Sequence, residues 1–234
     1  MGGAVDVAVL SPVAGLIVRA LRSSASGAAV DPVAVHADEP VPSPVADVAL
    51  VSTYWPVHVG RDFDLLDAVA WLADRSDAPV LVLGRGSVDA AFIDEALGHP
   101  QVVGVVRADI EPEELTAALV AVADRRPHPA VVDVAPAGPT LAEALADNRL
   151  MATVACAIAV GGATTWSDIA RASGFSIRTV QTAPRRFAPL VRADLDLPAG
   201  HDVTQPLLYH WLGTKSAYLR SWCRRHPACA GGRA

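Results

Sequence analysis

Asp168-Ile169-Ala170-Arg171-Ala172-Ser173-Gly174-Phe175-Ser176-Ile177-Arg178-Thr179-Val180 is two short runs set about a glycine. Ile169 and Ala170 give the first run an apolar side, and the small Ala170 permits close helix approach. Gly174 supplies the positive φ of a tight turn. Ser176 can cap a second helix by accepting from its first free N–H groups, and Val180 then packs back against Ile169. The spacing predicts helices over 165–173 and 176–183, crossed about the turn. Arg178, Thr179, Gln181, Thr182 and Arg185 are left facing outward.

The pattern on either side is also helical. Residues 140–160 read as one long apolar helix or two joined ones. Residues 204–225 read as a final helix bearing Leu207, Leu208, Trp211, Leu212, Tyr218, Leu219 and Trp222. The aromatic stripe Tyr209, Trp211, Tyr218 and Trp222 is read as core or dimer contact rather than a base-stacking surface. Upstream, residues 127–139 hold four prolines and little periodicity, which marks a linker.

Residues 1–126 alternate short apolar runs with helical spacing. Strands are predicted over 5–10, 32–36, 47–51, 79–83 and 102–106, and helices over 13–24, 63–74, 88–97 and 111–125. Pro112 sits well in the first turn of the last helix, while three prolines exclude a helix from 38–44. Fully apolar strands alternating with helices imply a doubly wound parallel five-stranded sheet covered on both faces. Such sheets place ligand chemistry at the carboxyl ends of their strands.

The charge of the 234-residue chain is divided. Residues 1–139 hold 8 Lys and Arg against 19 Asp and Glu, a net of −11, whereas residues 140–234 hold 11 against 6, a net of +5. An acidic module joined to a basic one suggests that the second meets a polyanion, since phosphate contacts supply most non-specific nucleic-acid affinity. The weakly polar stretch 150–163 is 14 residues long, short of the roughly 20 needed to cross a bilayer. No basic flank and apolar core open the chain, so no export signal is expected. Three cysteines cannot build a full disulfide framework. A cytoplasmic protein with no membrane association is the expectation.

The run DIARASGFSIRTV resembles the helix-turn-helix of LuxR/NarL-type bacterial response regulators, in which an "EIA…LG.S..TV" pattern recurs. The likeness is specific over about 20 residues. It implies that Thr179 contacts phosphate and that Gln181, Thr182 and Arg185 face bases in the major groove. Gln181 would pair with adenine, and Arg185 with guanine or phosphate. The candidate DNA-contacting set is therefore Ser176, Arg178, Thr179, Gln181, Thr182, Arg185 and Arg186. Pro184 departs from the family, standing where it has an apolar helix residue. It removes a hydrogen bond to Val180 at a cost of about 3 kcal/mol unless the helix bends, so bases are assigned no further than Thr182.

Residues 1–126 resemble a CheY-like receiver, with five strands in order and Ala46-Asp47-Val48-Ala49-Leu50-Val51 as the third. Residues 104–115 look like its fifth strand and last helix. A working receiver needs a carboxylate pair after strand one, an aspartate after strand three, a hydroxyl after strand four and a lysine after strand five. Those positions hold Ser11 and Pro12, Ser52, Gly84 and Ala108. No hard-cation site can be built without clustered carboxylates, and Arg107 could replace the lysine only if its strand slipped by one residue. The receiver's second helix is read as missing, replaced by Glu39-Pro40-Val41-Pro42-Ser43-Pro44. The resemblance implies a phosphorylation-independent pseudo-receiver serving dimerisation or ligand sensing.

Tyr54 and Trp55, with Arg85 and Ser87 in the Gly84-Arg85-Gly86-Ser87 turn, form a candidate effector pocket. The competing reading is a cavity plug and a glycine turn with a serine cap. His36, Asp38 and Glu39 lack a second metal-binding cluster, and Cys223, His226 and Cys229 lack the further ligands zinc requires. No metal and no cofactor are expected. The strand ends offer no nucleophile–base pair, which argues against an enzyme. The expected function is a DNA-binding transcriptional regulator acting as a homodimer on double-stranded DNA, with a small-molecule effector. The alternative is an adaptor whose helical domain, 140–234, binds a partner protein instead.

Overall fold

The computed structural model describes residues 3–35, 46–53, 63–85, 90–132 and 138–227. Its contacts divide the chain into two compact units, Met1–Ala135 and Pro136–Ala234.

In the first unit five parallel strands, β1 (Val5–Leu10), β2 (Val30–Val35), β3 (Val48–Ser52), β4 (Val80–Gly84) and β5 (Val102–Arg107), run in the order β2-β1-β3-β4-β5. This is the doubly wound order of receiver-like folds, in which the winding reverses between β1 and β3. β2 begins two residues before the apolar run suggested, because Val5 pairs with Val30.

Each strand feeds two cores because successive side chains point to opposite faces. Val7, Val9, Val48, Leu50 and Leu81 pack on one face with helices α1 (Ala14–Ser23) and α4 (Pro112–Ala123). Ala8, Leu10, Ala49, Val51, Val80 and Val82 pack on the other with α2 (Leu65–Ala73) and α3 (Ala90–Leu97). Asp64 and Asp67 form a reciprocal capping box at the start of α2. Val132, expected in the linker, instead exchanges hydrogen bonds of 3.0 and 2.8 Å with Val105. It thereby covers part of an edge that would otherwise present unpaired backbone groups. Residues 36–45, which carry the missing-helix reading, lie outside the described residues, as do His36, Asp38 and Glu39.

The second unit is all helical: α5 (Leu141–Asp147), α6 (Arg149–Ala159), α7 (Trp166–Ser173), α8 (Ile177–Val180), α9 (Ala183–Asp194), α10 (Gln205–Thr214) and α11 (Ser216–Arg225). The 140–160 stretch resolves into two helices at Asn148, whose side chain caps α6 by accepting from the Met151 N–H. Seven consecutive residues of α6, Met151 to Ala157, are buried. Such a helix is apolar all round because it is the centre of its domain, and α5, α7, α9, α10 and α11 all pack on it. Thr153 is accommodated there by donating to the Arg149 carbonyl at 2.8 Å.

One helix reading and one cysteine reading need correction. The expected single helix over 204–225 is two, broken at Lys215, where the Thr214 hydroxyl donates back to the Trp211 carbonyl. Lys215 there turns its ammonium onto Asp194 at 3.0 Å. Cys223 is no metal-ligand candidate, because it is disulfide-bonded to Cys156, 67 positions away, tying α11 to α6. Cys229 lies outside the described residues. Trp211, Tyr218 and Trp222 are buried core. Among the described residues no helix is long and apolar enough to cross a membrane.

Candidate nucleic-acid interface

The helix-turn-helix is assembled by caps and one left-handed residue. The Thr165 hydroxyl caps α7, accepting from the Asp168 N–H at 3.2 Å and donating to the Asp168 carboxylate at 2.7 Å. α7 ends at Gly174, whose φ of 71° lies in the region that glycine alone enters freely. Ser176 then caps α8, accepting from the Thr179 N–H at 3.1 Å and sharing a 2.8 Å hydroxyl contact with Thr179. Ile169 on α7 and Val180 on α8 are fully buried, and the two helices pack on each other.

The second helix is interrupted, as the Pro184 departure required. α8 stops at Val180, and α9 starts at Ala183 with Pro184 in its first turn, where a missing N–H costs nothing. The gap is bridged by tighter bonds, from the Thr182 N–H to the Thr179 carbonyl and from the Arg185 N–H to the Thr182 carbonyl. Gln181 and Thr182 keep right-handed backbone angles, so the chain runs on as a right-handed coil past the proline. The expected 176–183 helix is thus four residues long and followed by a twelve-residue one.

Ala183, Phe187, Ala188 and Val191 bury the inner side of α9. The Phe187 ring stands edge-on to Trp211, 6.0 Å between centroids. Asp194 closes the end of α9: its carboxylate accepts from Trp211 Nε1 at 2.7 Å and from Lys215 Nζ at 3.0 to 3.1 Å. Ser176, Arg178, Thr179, Gln181, Thr182, Arg185 and Arg186 are all exposed. Their disposition is that of a polar face built on a fixed frame. Arg192 is half-buried and donates to the His201 carbonyl, so it does not join them. Ile177, at 46% exposure, is an apolar neighbour in that face. Beside the frame Trp166 meets Tyr209 edge-on, and burial pushes the Tyr209 phenol up.

In the first unit, register brings the receiver-like positions to one edge. Leu10 pairs with Val51, Ser52 with Leu83, and the Ala108 N–H bonds the Gly84 carbonyl at 2.8 Å. Ser11, Ser52, Gly84 and Ala108 therefore mark the carboxyl ends of neighbouring strands. Ser11 and Ser52 are buried, and Ser11 Oγ accepts from the Val13 N–H, while Pro12 is exposed. A Cβ on Gly84 would meet Ile93 Cδ1 at 2.7 Å, so even a serine here would displace that side chain. β5 does shift register by one residue after Val102, yet Arg107 stays exposed and does not take the lysine role. It points outward to Asp109, which raises the guanidinium and lowers the carboxyl. Among the described residues no group of three or more His, Cys, Asp or Glu could hold a metal. Arg85 is exposed; Tyr54, Trp55 and Ser87 lie outside the described residues.

No family model matches the chain, and no curated protein matches it. Among solved structures it is similar to the RcsB response regulator of Salmonella typhimurium, at 16% identity over 90% of this chain and 99% of that one, with a TM-score of 0.43. It is similar to the response regulator ChrA of a heme-sensing two-component system, at 16% identity over 97% and 99%, TM-score 0.41. It is also similar to full-length FixJ from B. japonicum, at 16% identity over 93% and 99%, TM-score 0.41. At that identity and those scores the likenesses assign no activity to this chain.

Proposed function

We propose that the protein is a DNA-binding transcriptional regulator, acting as a homodimer, whose helical unit reads double-stranded DNA with the exposed side of α8 and the first turn of α9. One observation carries the reading: buried Ile169 and Val180, a left-handed Gly174 and the Ser176 cap fix two short helices whose exposed side carries arginine, threonine and glutamine. That face lies in the half of the sequence with net charge +5. Thr179 and Arg178 suit phosphates by their chemistry, and Gln181 and Thr182 suit base edges. The receiver-like unit works without aspartyl phosphorylation in this reading, since Ser11, Pro12, Ser52 and Ala108 supply neither a magnesium cage nor a phosphoacceptor. It serves as a dimerisation or effector module, and no catalysis is assigned to the chain.

Selection of bound sites from random duplexes, followed by titration of the winner, tests this. The full chain should select a site with two symmetric halves about one helical turn apart. Arg178→Ala combined with Arg185→Ala should cut affinity at least tenfold with unchanged circular dichroism. The log K against log salt slope should become shallower by about 1 for each phosphate no longer neutralised. No selected sequence at low salt, or equal affinity from the double variant, sinks the proposal. A partner protein captured by the double variant and wild type alike would favour the adaptor reading.

A further inference from the structure

Ile177, the first residue of α8, is 46% exposed, although every other exposed side chain from Ser176 to Thr182 is polar. A single exposed isoleucine is ordinary on a solvent-facing surface. On a face that enters the major groove it is not neutral. Each base pair there presents donors and acceptors, and the only methyl in the groove is that on thymine C5. An isoleucine set against a polar edge strips its water and returns no hydrogen bond. Set against the thymine methyl, it buries carbon on carbon.

Hydrogen bonds within the face decide which of its side chains remain for bases. The Ser176 and Thr179 hydroxyls meet at 2.8 Å, and Ser176 Oγ also accepts from the Thr179 N–H. The Thr182 hydroxyl donates to the Thr179 carbonyl at 2.7 Å, which leaves it lone pairs but no proton to offer. Gln181 is exposed, and its amide makes no hydrogen bond among the described residues. The Gln181 backbone N–H donates to the Ile177 carbonyl at 2.9 Å. The two residues therefore stand one helical turn apart on the same side of the coil, with about 5–6 Å between their Cβ atoms. Successive base pairs rise by about 3.4 Å, so side chains spaced this way reach positions one or two pairs apart.

We propose that Ile177 is a specificity-determining residue that packs on the C5-methyl of a thymine. That thymine lies within about two base pairs of the adenine that Gln181 pairs with. Cytosine and the purines are disfavoured at that position, because the isoleucine would cover polar groups without bonding them. This inference rests on the DNA-binding reading and adds the base chemistry that the face selects.

The test uses the full chain and the duplex it selects from a random pool. Each thymine of a half-site is replaced in turn by deoxyuridine, which removes the methyl and keeps the pairing. One replacement should weaken wild-type binding roughly threefold per half-site. Ile177→Ala should bind the unmodified duplex more weakly than wild type, with unchanged circular dichroism, and should bind the thymine and uracil forms of that position equally. Ile177→Val, which keeps a branched apolar group, should preserve the preference for thymine. Gln181→Ala should relax selection at an adenine within about two pairs of the same thymine. A well-bound duplex with no uracil-sensitive thymine overturns the proposal. So does a uracil effect undiminished in Ile177→Ala, or one lost equally in Ile177→Val, or a relaxed adenine lying further away. Failure to select any duplex sinks the DNA-binding reading as well, whereas a flat uracil scan on a tightly bound site sinks this inference alone.

Discussion

Asp194→Ala should be among the most damaging single changes in the helical unit. The carboxylate holds two donors from outside α9: the Trp211 indole at 2.7 Å and the Lys215 ammonium at 3.0 Å. The Lys215 side chain is 8% exposed and that of Asp194 31%. Removing the acid therefore strands a buried cation, a change that costs about 3–5 kcal/mol when both partners are buried. The partial exposure of Asp194 lowers that figure, and the lost indole bond restores about 1 kcal/mol of it. We expect a loss of about 3 kcal/mol, or roughly 12–24 °C for a unit of this size. Lys215→Met removes the other partner but leaves an acid that water can reach and that still accepts from Trp211. Its cost should stay below about 1.5 kcal/mol. Urea titration followed by tryptophan fluorescence reads both variants. The reasoning fails if Asp194→Ala costs under about 1 kcal/mol, or if Lys215→Met is equally harmful.

Two further outcomes follow from the same structure. Reducing the Cys156–Cys223 bridge, or replacing both cysteines with alanine, should lower stability by about 4 kcal/mol on a chain-entropy account of a loop this long; an unchanged urea midpoint under reductant would refute it. Ser52→Asp should not permit magnesium-dependent labelling by acetyl phosphate, because Ser11 and Pro12 still offer no carboxylate. A phosphorylated species in intact mass spectrometry would show that the strand ends can rebuild the site.

The sheet was legible because its strands are unbroken apolar runs and its helices have one-sided spacing. Val7 and Val9 on one face and Ala8 and Leu10 on the other are the arrangement those runs require. Gly174, Ser176, Ile169 and Val180 were legible because turn, cap and crossing contact each demand a residue type. Interruptions were harder. Pro184 announced a disturbance at once, yet whether the helix bends or restarts depends on Phe187 and Val191 having a core to enter. The break at Lys215 was missed because the partner its ammonium meets there, Asp194, lies 21 residues away. The cysteine pairing is likewise non-local. The left-handed backbone of Arg125, at φ 55°, left no signal either, since nothing in a sequence marks an arginine that adopts a glycine's conformation.

The sulfur link between α6 and α11 makes the intervening polypeptide a closed ring. The connection from Leu195 to Thr204 lies within that ring, and its residues are largely exposed. A protease that severs it would yield two peptides still held as one molecule, with α9 and α10 on opposite sides of the cut. Intact and nicked protein would then migrate together until thiol is added, and a single clean cut would leave the two halves of this fold unable to diffuse apart.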